Sequence, residues 1–169
     1  MRVIPYFAYG SNLCLSRIRN RASSATPVAV GCLPGYKILF HKRSVDGSGK
    51  CTIKNGGSEE DLVFGVVYLM DADEKDELDR EEGLGVGYRE SLVDVITPEG
   101  IMEARTYIAC ESHMDSSLKP YHWYLEYVLK GANQHHLPEY YISSLREIVA
   151  ISDPDPIRAF RHRSFLFTS

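Results

Sequence analysis

The sequence has no apolar run long enough to cross a bilayer: its longest, such as Leu62 to Met70, are broken by glycine and fall far short of the ~20 residues a spanning helix needs. It has no block of like charge either. Its 23 acidic and 19 basic side chains are interspersed to a net −4, which speaks against a basic nucleic-acid arm and an acidic tail. Neither a nucleic-acid nor a membrane partner is expected. Cysteine is sparse and unpatterned: Cys14, Cys32, Cys51 and Cys110 form no CxxC pair and no zinc ligand set with histidine. No metal is expected, and each thiol reads as a buried or half-buried small hydrophobe. Met1-Arg2-Val3-Ile4-Pro5 lacks the apolar stretch and cleavage site of a secretory signal, so a cytoplasmic location is expected. What remains is 169 residues, 44% of them hydrophobic, enough to close one core in a single domain spanning 1–169.

Val3 to Ala8 is β-branched and aromatic and reads as a strand that stops at the turn Tyr9-Gly10-Ser11-Asn12. Leu13 to Arg21 has helical spacing, with Ser11 or Asn12 available as its cap. Ala29 to Lys42 reads as two strands split at Pro34-Gly35, and Gly47 to Gly57 as the loosest stretch. The continuous apolar run Val63 to Leu69 predicts a central strand buried on both faces. Asp71 and Asp73 then start a helix of about three turns, which Gly83 stops, leaving Glu82 at its C-terminal end. Tyr88 to Thr97 and Met102 to Cys110 alternate as a hairpin across Pro98-Glu99-Gly100. Two helices, Tyr121 to Lys130 and Pro138 to Val149, follow, separated by Gly131 and the polar stretch to His136. Asp153-Pro154-Asp155-Pro156 breaks regular structure, so the basic, aromatic end after it is expected to be an irregular strap or partly disordered, within a divergent C-terminal tail of residues 151–169. Strands interrupted by helices at irregular intervals define an α+β fold with a mixed, barrel-like sheet.

Two places carry chemistry. A strand-to-helix turn frees consecutive N–H groups, and in Tyr9-Gly10-Ser11-Asn12 the glycine admits a ligand while the Ser11 hydroxyl and Asn12 amide add hydrogen bonds. The same residues also suit a turn and helix cap that bind nothing. In Leu78-Asp79-Arg80-Glu81-Glu82-Gly83, three carboxylates lie at a helix C-terminus, where a buried one would hold its proton tightly enough for acid/base work. They suit a solvated face equally well. Serine or cysteine nucleophilic catalysis is disfavoured, because Ser11 has no nearby histidine and the six histidines form no pattern with a cysteine. His113, His122, His135, His136 and His162 read as surface or helix-face residues and His41 as a strand position. Tyr121-His122-Trp123-Tyr124 reads as the apolar face of a helix.

Tyr6-Phe7-Ala8-Tyr9-Gly10-Ser11-Asn12-Leu13, followed in order by Gly35-Tyr36, Gly65-Val66-Val67-Tyr68, Leu78-Asp79 with Glu82-Gly83, Tyr88-Arg89 and Ala104-Arg105-Thr106-Tyr107, resembles the γ-glutamylcyclotransferase-like family across about residues 6–145. The resemblance implies a small mixed β-barrel flanked by helices, with a cavity over the Tyr9 to Leu13 loop. It implies that Glu82, which directly precedes glycine, is the catalytic acid/base, and that Tyr9, Gly10, Ser11, Asn12, Leu13, Tyr88 and Tyr121 bind substrate. The implied reaction cyclises a γ-glutamyl group of a small molecule to 5-oxoproline and releases the attached amine, with no cofactor. A non-catalytic ligand-binding domain of the same fold is the alternative, and monomer or homodimer is left open. Cys51 stands where alanine is commoner, Asp46 to Ser58 has no clear counterpart, and residues after Ile151 diverge. Ser11-Asn12 replaces the Ser-Leu of the glutathione-specific relatives, which argues against glutathione as substrate.

Overall fold

In a computed structural model that describes residues 1–168, five strands close a mixed barrel in the order β1-β5-β2-β6-β7. They are β1 (Val3–Ala8), β2 (Thr26–Pro34), β5 (Leu62–Asp71), β6 (Tyr88–Thr97) and β7 (Gly100–Ala109). β5 lies between β1 and β2, antiparallel to both, and Val63 and Val66 to Tyr68 of its apolar run are buried. β6 and β7 pair from Tyr88↔Ala109 to Thr97↔Gly100, so the hairpin turns on Pro98-Glu99. A parallel contact, Tyr6↔Arg105, joins β7 back to β1 and closes the ring. Phe7, Val63, Val67, Tyr68 and Val95 are fully buried.

Pro34-Gly35 splits two strands as expected, but they enter different sheets. β3 (Tyr36–Arg43) pairs with β4 (Gly49–Asn55) in a separate two-stranded sheet, with Tyr36↔Asn55 and Arg43↔Gly49 as its outer pairs. The expectation that Gly47 to Gly57 would be loose is therefore corrected. Its polar residues are used inside: Cys51, Thr52 and Ile53 are buried, and the Thr52 hydroxyl accepts from Ala109 N–H at 2.9 Å, tying the hairpin to the barrel.

The helices are α1 (Leu15–Arg21), α2 (Lys75–Glu82), α3 (His122–Gln134), α4 (Glu139–Arg146) and α5 (Pro156–Phe167), and none is long and apolar enough to cross a membrane. α2 is shorter than predicted, because a 3-10 turn, Ala72–Glu74, forms its entry. Gly131 does not end α3. It lies inside the helix because a Cβ there would meet the Leu13 carbonyl carbon at 2.3 Å, so glycine serves the approach of α3 to the β1–α1 turn. The expected irregular strap after Ile151 is also corrected. The Asp155 carboxylate accepts from Ile157 and Arg158 N–H groups, Pro156 opens the first turn, and α5 docks through Leu166, Ala159 and the stacking of His162 on Trp123 at 3.7 Å.

Candidate active site

α2 ends where Gly83 turns left-handed at φ 64°, with its N–H on the Arg80 carbonyl and the Leu84 N–H on that of Asp79. This end separates the three carboxylates. Glu81 is half-exposed and lies 3.8 Å from Arg21. Asp79 accepts from the Lys75 amine at 2.8 and 2.7 Å and from the Tyr107 hydroxyl. Glu82 turns inward, with its side chain 16% exposed. Its Oε1 accepts from Asn12 Nδ2 at 2.9 Å and Arg21 Nη1 at 3.1 Å. Arg21 Nη1 also donates to Asn12 Oδ1 at 2.8 Å, and Asn12 Nδ2 to the Tyr6 hydroxyl at 3.0 Å. The Asn12 amide therefore has one orientation, because reversing it would put its oxygen against the carboxylate.

Glu82 borders a cavity of ≈ 30 Å³ whose remaining wall is largely phenolic. Tyr6 and Tyr9 come from β1 and its turn, Tyr88 and Tyr107 from β6 and β7, and Tyr124 from α3. Tyr9 donates to the Tyr107 carbonyl, Tyr88 to the Cys51 carbonyl at 2.7 Å, and Cys51 N–H donates to the Tyr124 hydroxyl at 2.9 Å. Burial first, and the neighbouring Glu82 charge among the further causes, raises all five phenols above the usual tyrosine range. Burial likewise pushes the Cys51 thiol up to about 12. These groups stay protonated near neutrality, which leaves Glu82 as the carboxylate of the cavity.

The turn that faces Glu82 contributes Gly10, Ser11 and Asn12 to the lining. Gly10 has φ −108°, so glycine is not needed for its dihedral. It is needed for space: a Cβ there would lie 2.9 Å from the Cys51 Cβ. Among the described residues, the N–H groups of Gly10, Ser11 and Asn12 meet no protein acceptor. Neither side chain caps α1, contrary to expectation; its N-cap is Cys14. Ser11 is occupied by Arg17, whose Nε donates to its Oγ at 3.0 Å, and Asn12 by the Glu82 network.

Two of the residues expected at the substrate lie away from the cavity. Leu13 is fully buried against α3, and its carbonyl accepts from the Tyr68 hydroxyl at 3.0 Å; it anchors the turn. Tyr121 donates to the Asp46 carbonyl at 2.7 Å, and Tyr124, nearly one helical turn later, reaches the cavity instead. His135 and His162 are half-buried and not on the open surface: His135 Nε2 lies 2.8 Å from the Tyr68 hydroxyl. Tyr6, Tyr107, Cys51 and Arg21 were not singled out for the site from sequence. The four-residue spacing of Arg17 and Arg21 on one helix face directly after the turn was a readable signal. Among the described residues, no group of three His, Cys, Asp or Glu could hold a metal ion.

A closed five-stranded mixed barrel flanked by helices, with Glu82 beside a phenolic cavity, defines the chain as an α+β barrel protein. A model of the AIG2-like family matches residues 62–145. Gamma-glutamylcyclotransferase of Homo sapiens is 34% identical over 152 residues, covering 85% of this chain and 77% of that protein. The protein of the same name from Mus musculus is 33% identical over 154 residues, at the same coverage. A solved structure described as gamma-glutamyl cyclotransferase superposes with a TM-score of 0.84 at 29% identity, covering 96% of this chain and 99% of the other. The chain belongs to the gamma-glutamylcyclotransferase family.

Proposed function

We propose that Glu82 is the acid/base with which this γ-glutamylcyclotransferase-type enzyme closes a γ-glutamyl group into 5-oxoproline. The observation that carries the reading is the occupancy of its carboxylate. Oε1 holds two donors, from Asn12 and Arg21, while Oε2 has no protein donor among the described residues, in a side chain that lines the same cavity as the protonated phenols. Oε2 is the oxygen that exchanges a proton with substrate.

The substrate's α-ammonium loses one proton to solvent water before its nitrogen attacks the γ-carbonyl carbon. As the new C–N bond forms, the nitrogen gives a second proton to Glu82. The tetrahedral centre then collapses and the original C–N bond breaks. Glu82 returns that proton to the departing nitrogen, and the free amine takes up another from water, so the two lost by the substrate are accounted for. The free N–H groups of Gly10, Ser11 and Asn12 supply donors for the substrate's anionic oxygens. Holding the flexible chain in its cyclising shape supplies much of the remaining acceleration, since proximity can offset several kcal/mol. Residues 1–169 act as one domain, and the four unpaired cysteines suit the reducing cytoplasm.

The test is a panel of γ-glutamyl compounds assayed for 5-oxoproline. Compounds with a free α-amine release it, while their N-acetyl counterparts release neither 5-oxoproline nor amine. Rapid amine release from an N-acetyl substrate would mean attack by water and a hydrolase.

A further inference from the structure

Arg21 has a second setting. Besides holding Glu82, it lines a groove of ≈ 520 Å³ formed mainly by α1, α3 and α5; Glu81 of α2 also lines it, 3.8 Å from Arg21. Arg17 from α1, Tyr127 from α3, and His162 and Phe165 from α5 complete the part that matters here. Arg17 donates through Nε to Ser11 and lies 4.3 Å over the Tyr127 ring, but among the described residues no carboxylate comes within ion-pair distance of it. Neighbouring cations are neutralised: Lys50 by Asp46 at 2.9 Å and Arg158 by Asp153 at 2.5 Å. A guanidinium partly withdrawn from water and left without a counter-ion is a site for an anion. Burial, and then Arg21, lower its proton affinity from the usual arginine value, the signature of a cation that a carboxylate would relieve.

Aromatic rings share the rest of the lining with the polar Ser16, Asn20 and Thr168. Phe165 is 47% exposed although its neighbour Leu166 is buried. Burial first, and then the positive charge of Arg17 and Lys50, lower His162 to about 4, so at neutral pH it adds an uncharged ring. The occupant that fits is an anion attached to an apolar or aromatic body.

The departing nitrogen must stay within reach of Glu82, and the cavity at ≈ 30 Å³ is far smaller than the groove beside Arg21. Arg21 connects Glu82 to the groove. We propose that the groove is the subsite for the released part of the substrate, an amino acid with an aromatic or large apolar side chain. Arg17 meets its carboxylate, and Phe165 with Tyr127 meets its side chain. The assignment rests on the cyclotransferase reading and adds that α5 sets leaving-group selectivity.

Two measurements test it. The first is independent of turnover. Trp123, the chain's single tryptophan, stacks on His162 of α5 and reports L-phenylalanine binding through its fluorescence. Binding is expected to saturate, to weaken about tenfold in Phe165→Ala and in Arg17→Gln, and to be retained largely in Arg17→Lys. Phenethylamine, which lacks the carboxylate, binds more weakly than phenylalanine. The second is the ratio of kcat/KM for γ-glutamyl-phenylalanine over γ-glutamyl-alanine, expected to fall about tenfold in Phe165→Ala and to recover in Phe165→Tyr. An unchanged ratio, or phenylalanine binding that is absent or indifferent to Arg17 in variants that melt normally, overturns the groove assignment. Absence of 5-oxoproline from every γ-glutamyl compound instead defeats the reaction, whatever the binding arm shows.

Discussion

The barrel flank and the helical flank of Glu82 hold their charges in different ways. On the barrel flank each is met by directional bonds: Asp79 by Lys75 and Tyr107, and Glu82 by Asn12 and Arg21. On the helical flank cations that each make one directional bond, Arg17 to Ser11 and Lys50 to Asp46, lie in addition on aromatic faces, with Arg17 over Tyr127 at 4.3 Å and Lys50 over Trp123 at 4.3 Å and Tyr124 at 4.6 Å. A hydrogen bond fixes an atom's position within a few tenths of an ångström, whereas a ring face attracts a cation over a broad area. The first suits a group that must move a proton between set positions. The second suits a wall that adapts to what it receives.

The largest effect expected from breaking this contrast is on the barrel flank. Glu82→Gln keeps the side chain's shape but cannot carry a proton, so turnover is expected to fall at least ~100-fold with the melting temperature little changed. Glu81→Gln, on the half-exposed neighbour, should cost far less. If the two exchanged places, the acid/base would be one residue away from where we put it.

Next comes the turn, where a Cβ at Gly10 would meet Cys51 and displace the free N–H groups, while Ser11 offers one hydroxyl already engaged by Arg17. Gly10→Val should therefore reduce kcat/KM well beyond Ser11→Ala, whose lost hydrogen bond is worth about 0.5 to 1.5 kcal/mol. Both variants need a circular dichroism spectrum and a thermal melt to confirm folding. An inactive but folded Ser11→Ala beside an active Gly10→Val would overturn the backbone cradle and reopen a direct role for Ser11.

A third substitution asks whether the helical flank is rigid at its base. Gly131→Ala improves helix propensity by about 1 kcal/mol, but its methyl would press on Leu13, and overpacking of this kind costs about 1–3 kcal/mol. The urea midpoint should fall; a rise would mean that α3 has slack against the turn.

The smallest effect concerns the aromatic stack. His162 is neutral in the folded protein down to about pH 4, whereas the unfolded chain protonates it near 6.5. As pH falls through that window the unfolded state binds more protons, so stability declines, by about 1–2 kcal/mol after solvent screening is allowed for. His162→Phe should flatten this part of the stability–pH curve. An unaltered slope in that variant would place the titration elsewhere.

The barrel was legible because its strands announce themselves locally: the apolar run of β5 and the alternation of β6 and β7 each need no knowledge of partners. β4 was missed because Lys50, Thr52 and Lys54 are polar, and only its pairing with β3 and the Thr52 bond to Ala109 explain why that segment is ordered. The signal for α5 was present, in Asp155 followed by Pro156, but two prolines in four residues read more strongly as a break. At the site, Glu82 and the turn were readable from their motif. Tyr6, Tyr107 and Tyr124 converge from β1, β7 and α3, and no local pattern says that three distant phenols share a wall.

The end of α2 has a further implication. Gly83 and Leu84 satisfy the Arg80 and Asp79 carbonyls, the Val86 and Gly87 N–H groups tie the chain ahead back to the Gly83 carbonyl, and the Glu82 side chain itself is held by Asn12 and Arg21. Gly85 and Val86 are exposed, and what they contribute is backbone bonding, not side-chain contact with Glu82. Exchanges of the exposed Val86 side chain are therefore expected to leave Glu82 in place, whereas an insertion between Gly83 and Gly87 would break the bonds that close the helix end.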